Sequence, residues 1–450
     1  MKSEVEMANL AFEERARRFV RAAVDASPGP IDGPFELAQR LLTRDPSLAR
    51  ANVWSALVLG DVEAVRRHIE RDAEWVRRKG GPVEDREPLL YVTYSKFHRT
   101  SPQTAERLLA TARLLLDHGA DPDAFFIVEP WSDSPLRPLL GACGVANFPA
   151  MAELLLDRGA TINDNESLYH STEHADTRCL ELLLARGADP KGSNALNHAL
   201  DRRDLERVRL LLEHGADPNE VFGDGTSLHW AIRRGRDREA LELLVAHGAD
   251  INARRSDGRT AYQMAMQCGE PAAAAYLAEL GADTTATPLE RFSEACARGD
   301  GAAARRVAAE EPRLFENLSQ HDRQAFLHLA EMGKAVMIDT MVDAGFPAGT
   351  TGPHDQTALH WAAWHGWRDT VAALLSRGAA VNAVENEYGA TPLGWAVHGS
   401  ENWPNPEGDY PAVVQLLLAA GAAVENVEVS GPPAVADLLR AAGAKDSTDE

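Results

Sequence analysis

His170-Ser171-Thr172-Glu173-His174 is the string in this chain with the most chemistry in it. On a continuous helix two histidines four apart share one face, where they can bind Zn²⁺ while the glutamate serves as general base. Glu166, Asp176 and Cys179 are near enough in sequence to supply a further ligand. One reading of the chain is therefore a metal-binding or metal-dependent hydrolytic site at 170–174. No other catalytic string accompanies it. There is no Gly-Lys-Ser/Thr phosphate loop, no Gly-x-Ser-x-Gly elbow, and no Gly-x-Gly-x-x-Gly opening a helix after a strand. Asp224-Gly225 and Asp257-Gly258 are turn dipeptides without calcium-loop spacing.

The element that must carry this string is a repeat. Leu182-Leu183-Leu184-Ala185-Arg186-Gly187-Ala188-Asp189 returns as Leu210 to Asp217 and again as Leu243 to Asp250, with related endings at Gly119, Gly159, Gly281, Gly378 and Gly421. Gly215, Gly248 and Gly281 are spaced by 33 residues, as are Gly345 and Gly378. A helix ending in Gly at such a period marks a stack of small helical units, none able to bury its apolar face alone. Three adjacent leucines must be covered on more than one side; Val371 to Leu375 holds the corresponding stretch with two, and Leu375 is expected to be buried.

The clearest unit reads Thr357-Ala358-Leu359-His360-Trp361-Ala362-Ala363, Gly366, Val371 to Leu375, then Gly378-Ala379-Ala380-Val381-Asn382; Thr391-Pro392-Leu393 and Ser227-Leu228-His229 repeat its start. This resembles the ankyrin repeat, whose signature is Thr-Pro-Leu-His-x-Ala-Ala followed by Leu-Leu-Leu-x-x-Gly-Ala-Asp. The resemblance implies an all-α, ankyrin-repeat α-solenoid of about 10–12 helix-turn-helix units with β-turn fingers and degenerate caps at both ends. Thr357 would N-cap its helix, Pro392 sits where a first-turn proline costs no hydrogen bond, and His360, His229 and His328 would share one structural slot. The units ending at Gly187 and Gly215 are 28 residues long, so their fingers should be short. Counted back from Gly187, His170 falls where Trp361 and Trp230 fall, and His174 on the solvent side of the first helix, which argues against the metal reading.

The organisation expected is an N-terminal helical cap at 1–50, a first subarray at 51–285, a second at 286–445 and a disordered tail at 446–450. The cap has a Pro/Gly break at Ser27 to Pro34 and a helix near Phe35 to Thr43. A seam lies at Pro288 to Gln324, where the repeat phrase is poorest. Two units carry inserted chain: Phe125 to Trp131, and Ser400 to Tyr410.

Charge narrows the partner. Lys and Arg number 46 against 68 Asp and Glu, a net charge of −22, so free nucleic acid is not the expected ligand. No apolar run approaches the roughly 18 residues of a membrane span. The N-terminus has no apolar leader, and Cys143, Cys179, Cys268 and Cys296 have no paired spacing. These features point to a monomeric, cytoplasmic protein with no cofactor, and the Ala-, Arg- and Gly-rich wording to a bacterial source. The function expected is a non-enzymatic scaffold for protein–protein interaction.

By the same resemblance, a partner would lie on the concave face made by the fingers and the exposed side of the first helices. The positions that project there are Trp364 and His365, with Trp367 beyond the glycine, Arg233 and Arg234 in an earlier unit, and His398 in a later one. Trp403 in the insertion joins them. Finger candidates are Tyr388, Arg259, Gln356, Asn386 and Glu387. Aromatic residues and arginine dominate binding hot spots. Trp230, Trp361 and Trp395 recur at one position and are read as packing residues.

Overall fold

The structure is a computed structural model and describes residues 11–25, 33–83, 86–128, 132–425 and 427–446. The chain divides into two compact units, Met1–Glu220 and Val221–Glu450.

The N-terminal unit begins with helices Phe12–Ala23 and Gly33–Arg44, so the cap helix expected near Phe35 is present. Residues 27–32 of the Pro/Gly break lie outside the described residues. Helices Val53–Leu59 and Val62–Arg71 follow, joined at Gly60. Further pairs run through Pro102–Asp117, Pro149–Asp157, Ser167–Ser171, Arg178–Ala185, Ala195–Asp201 and Leu205–Glu213. The first insertion makes an antiparallel hairpin of Phe126–Val128 with Ser132–Leu136; Glu129, Pro130 and Trp131 lie outside the described residues. Only seven residues separate Gly187 from helix Ala195–Asp201, so the finger there is short, as its 28-residue period requires.

The C-terminal unit stacks helical pairs from Ser227–Arg233 and Arg238–Ala246 to Pro392–Asn402 and Tyr410–Ala419, closed by Pro433–Ala441. The seam at 288–324 holds a complete pair, Pro288–Ala297 and Gly301–Glu310. Phe292 of that pair is fully buried and meets Phe315, which packs on Phe346. The cluster continues through Leu359, Leu374, Val413 and Leu439. Lys445–Asp446 pairs in parallel with Glu428–Val429. Residues 447–450 lie outside the described residues. Among the described residues no helix is long and apolar enough to cross a membrane.

Each unit is punctuated as the repeat demands. Gly378 ends helix Arg368–Ser376 at φ +84°, a region that β-carbons disfavour, and the Ala379 N–H then reaches back to the Leu374 carbonyl at 3.0 Å. Five first helices of the C-terminal unit open on capping boxes. Thr357 caps Ala358–Trp364, and the His360 Nδ1 accepts from the Thr357 N–H at 3.0 Å. Nε2 of His360 reaches the Ala390 carbonyl of the next finger at 3.3 Å, tying neighbouring repeats. Thr226 and His229 repeat the box. His328 does not share this slot. Its helix, Gln320–Glu331, is capped by Ser319 with Asp322, and His328 sits near the far end, bonded to Glu331 and to the Arg233 carbonyl. The longer helix displaced it from the cap.

The leucine pair of helix Arg368–Ser376 is divided by the helix surface. Leu374 is fully buried, whereas Leu375 is only half-buried and flanks the core.

Several histidines are buried neutral, and this sets an acid limit. Burial pushes His98 down to about 4 against its bond to the Ser95 carbonyl, and the ring stacks on Phe148. Burial and the nearby Arg255 guanidinium push His229 down to about 4 as well. A depressed folded pKa gives stability that is present above the unfolded value of about 6.5 and is lost as pH falls through the folded value. The unfolding midpoint should therefore drop as pH falls from 6.5 to 4. His98→Phe should flatten that drop; an unchanged slope would contradict it.

Candidate functional site

The His170 region folds differently from a zinc site. Helix Ser167–Ser171 stops one residue after His170, so His174 does not share its face. His170 lies between two carboxylates, Nε2 3.3 Å from Glu166 and Nδ1 3.2 Å from Glu173. Burial opposes its charge, but the two carboxylates outweigh burial and hold its pKa at about 9. Glu173 also faces His198, whose ring stacks on Tyr169 and whose Nδ1 meets the Thr172 hydroxyl at 2.7 Å. His174 is buried, not on the solvent side, and its Nε2 meets the Gly144 carbonyl at 2.9 Å. The short helix turns the ring inward against the preceding repeat. Among the described residues no group of three His, Cys, Asp or Glu side chains could hold a metal ion. The string is an ion-paired tie between repeats.

A different group of residues converges in the C-terminal unit. Trp361, Trp364, Trp395, Trp403, Tyr388 and His398 line a cavity of about 570 Å³, together with His354, Gln356, Glu385 and Glu387. Helix Ala358–Trp364 supplies the first two tryptophans and helix Pro392–Asn402 supplies Trp395 and His398. The indole of Trp395 meets Trp361 at 5.2 Å and 81°, and Trp364 at 5.4 Å and 67°, so the walls stand edge to face. His398 lies 5.2 Å from Trp364. Tyr388 and Trp403 form an exposed rim, 76% and 69% accessible, more than structural aromatics normally are.

Three local features hold this geometry. Gly399 lets the two first helices touch, because a β-carbon there would overlap the Trp364 carbonyl oxygen. The insertion folds back on the same helix end. Its Asn405 Nδ2 donates to the His365 carbonyl at 2.9 Å and the Tyr410 hydroxyl donates to the Trp364 carbonyl at 3.0 Å. The finger turn is fastened by the buried Glu385 carboxylate, which accepts from the N–H groups of Glu387, Tyr388 and Ala390 at 2.7, 3.1 and 2.9 Å. Gly399→Ala should cost about 1–3 kcal/mol through this overlap and change the tryptophan fluorescence spectrum; a native spectrum and midpoint would contradict the close approach.

The structure thus brings together Trp364, His398, Trp403 and Tyr388 of the residues singled out in the sequence. It adds Trp361 and Trp395, whose recurrence had the look of pure packing; they pack on each other and line the cavity as well. It leaves four apart. Trp367 covers Gly333 and donates from Nε1 to the Glu331 carbonyl at 2.7 Å, in a separate trough beside Lys334 and Glu407. His365 is half-buried, and burial lowers its pKa. The Arg233 carbonyl accepts from His328, and the Arg234 guanidinium lies 5.2 Å over Trp230. Of the finger residues, Gln356 and Glu387 reach the cavity. Asn386 bonds Asp355, and Arg259 is enclosed by carboxylates.

Stacked helical pairs with β-turn fingers and a lined face define a repeat-type binding protein. A family model described as ankyrin repeats matches residues 139–222, 219–288 and 295–428, more than half of the 450 residues. The chain belongs to the ankyrin-repeat family, and its fold is an all-α ankyrin solenoid. The palmitoyltransferase Hip14 of Drosophila melanogaster is 37% identical over 92 residues, which span 20% of this chain and 13% of that protein. The human ASB11 ankyrin repeat domain is 20% identical, with 51% of this chain and 98% of that one covered and a TM-score of 0.25, too loose an overlap to bear on the site.

Proposed function

We propose that this chain is a non-enzymatic scaffold that binds a partner protein on the finger and first-helix face of its C-terminal unit, the concave face of the solenoid. The observation that carries the reading is the exposed aromatic rim, Tyr388 and Trp403, over a cavity walled by three tryptophans. Such side chains bury much area with little loss of rotamer freedom. The walls are fixed before binding by Gly399, Asn405 and Glu385, and preorganisation lowers the entropy lost on docking. A monomeric protein in a bacterial cytoplasm is the setting proposed from composition.

The test is capture from the source lysate by wild type and by Tyr388→Ala/Trp403→Ala. Both side chains are exposed, so the variant should keep its unfolding midpoint. Loss of a rim hot spot of about 2 kcal/mol would weaken capture about 30-fold. A partner held equally by both proteins would remove the site from this face.

A further inference from the structure

The cavity is walled chemically as well as sterically. Its lining includes the indoles of Trp361, Trp364 and Trp395, with Trp395 edge to face against the other two at 81° and 67°. Among its described lining residues there is no Lys or Arg, while Glu385 and Glu387 bring two carboxylates. The Glu385 carboxylate is held by three backbone N–H groups, and Glu387 is exposed at the rim. The whole chain carries −22 charges. Indole faces attract a cation through the ring quadrupole. A primary ammonium is strongly hydrated and needs acceptors for its three N–H groups; the indoles offer none, and the Glu385 carboxylate is already engaged by three backbone N–H groups. A fully methylated nitrogen has no N–H, presents a spread positive charge and is cheaper to take out of water. The volume of about 570 Å³ exceeds one trimethylammonium group and leaves room for the chain that carries it.

We infer that the tryptophan corner takes a methylated ammonium group, and that the partner protein presents it as an N-methylated lysine. This rests on the protein-binding reading above and names the chemistry it recognises.

The full chain is titrated with choline and with 3,3-dimethylbutan-1-ol, its uncharged isostere, at constant ionic strength, following tryptophan fluorescence. The expected result is saturable choline binding, with the alcohol about tenfold weaker or more. Trp403→Ala should weaken choline binding without shifting the unfolding midpoint. A short peptide carrying trimethyllysine should bind about tenfold more tightly than choline, and more tightly than its unmethylated form. Equal binding of choline and the alcohol would overturn the inference and leave an apolar pocket. No choline binding, with partner capture still dependent on Tyr388 and Trp403, would overturn it while leaving the scaffold reading intact. Equal affinity for choline and for the methylated peptide would overturn the partner-borne source.

Discussion

Arg259→Met is expected to lower the stability of the C-terminal unit by about 3–5 kcal/mol. The side chain leaves the finger bridged at Arg254 and Thr260 and enters a nest of carboxylates: Asp257 at 3.1 Å, Glu290 at 3.3 Å and Asp322 at 2.5 Å. Those carboxylates are 9% exposed or less; Asp257 keeps Arg255 at 3.8 Å, but removing the guanidinium strands the buried charges of Glu290 and Asp322. The nest also cannot relax freely. Glu290 accepts from the Thr287 N–H and Asp322 from the Ser319 N–H, each closing a capping box. One arginine thus links the starts of two later repeats to the finger of an earlier one. The check is chemical unfolding of Arg259→Met beside Arg259→Met/Asp322→Leu. The second change should recover part of the loss, since it removes one stranded charge. A single-variant loss under about 1 kcal/mol would contradict a buried network and fit a solvated one.

Leu374→Ala should cost about 2–5 kcal/mol, the range for deleting a fully buried leucine, and Leu375→Ala distinctly less. Leu374 points into the cluster shared with Leu359 and Val413, whereas Leu375 lies at its edge. The pair is a register test within one helix. The reverse order of unfolding midpoints would mean that the helix is turned by one residue.

The difference between those leucines shows what could be read in advance. Thr357, Gly378 and the leucine runs announce themselves because each answers a local backbone need: a cap, a left-handed stop, an apolar face. Such needs recur every 33 residues and show through a single sequence. Leu374 against Leu375 is set by which neighbouring repeat covers each side, and adjacent identical residues cannot reveal that. His174 is the same case, since its burial follows from helix Ser167–Ser171 ending early. His328 was displaced by a first helix longer than its neighbours.

The candidate site was legible in its rim and hidden in its walls. Trp403, Tyr388 and His398 stand in an insertion, a finger and the exposed side of a first helix, where the repeat has no use for them. Trp361 and Trp395 recur at one position, and recurrence signals packing. Their second role lies in the three-dimensional arrangement, where Trp395 stands edge to face against Trp361 and the two first helices touch at Gly399. Trp367 is three residues from Trp364, yet the intervening Gly366, at φ +70°, turns it toward Gly333. Arg259 has the composition of a binding finger and is instead internal, because its partners lie 31 and 63 residues away in the chain.

The most direct measurement is site-specific photo-crosslinking in the source cell, with benzoylphenylalanine placed at Glu387 on the cavity rim or at Val336, which is 73% exposed and lies in the other trough. The binding-face account predicts a discrete protein adduct from position 387, lost on adding Tyr388→Ala/Trp403→Ala, and none from position 336. An adduct from 336 with none from 387 would contradict it.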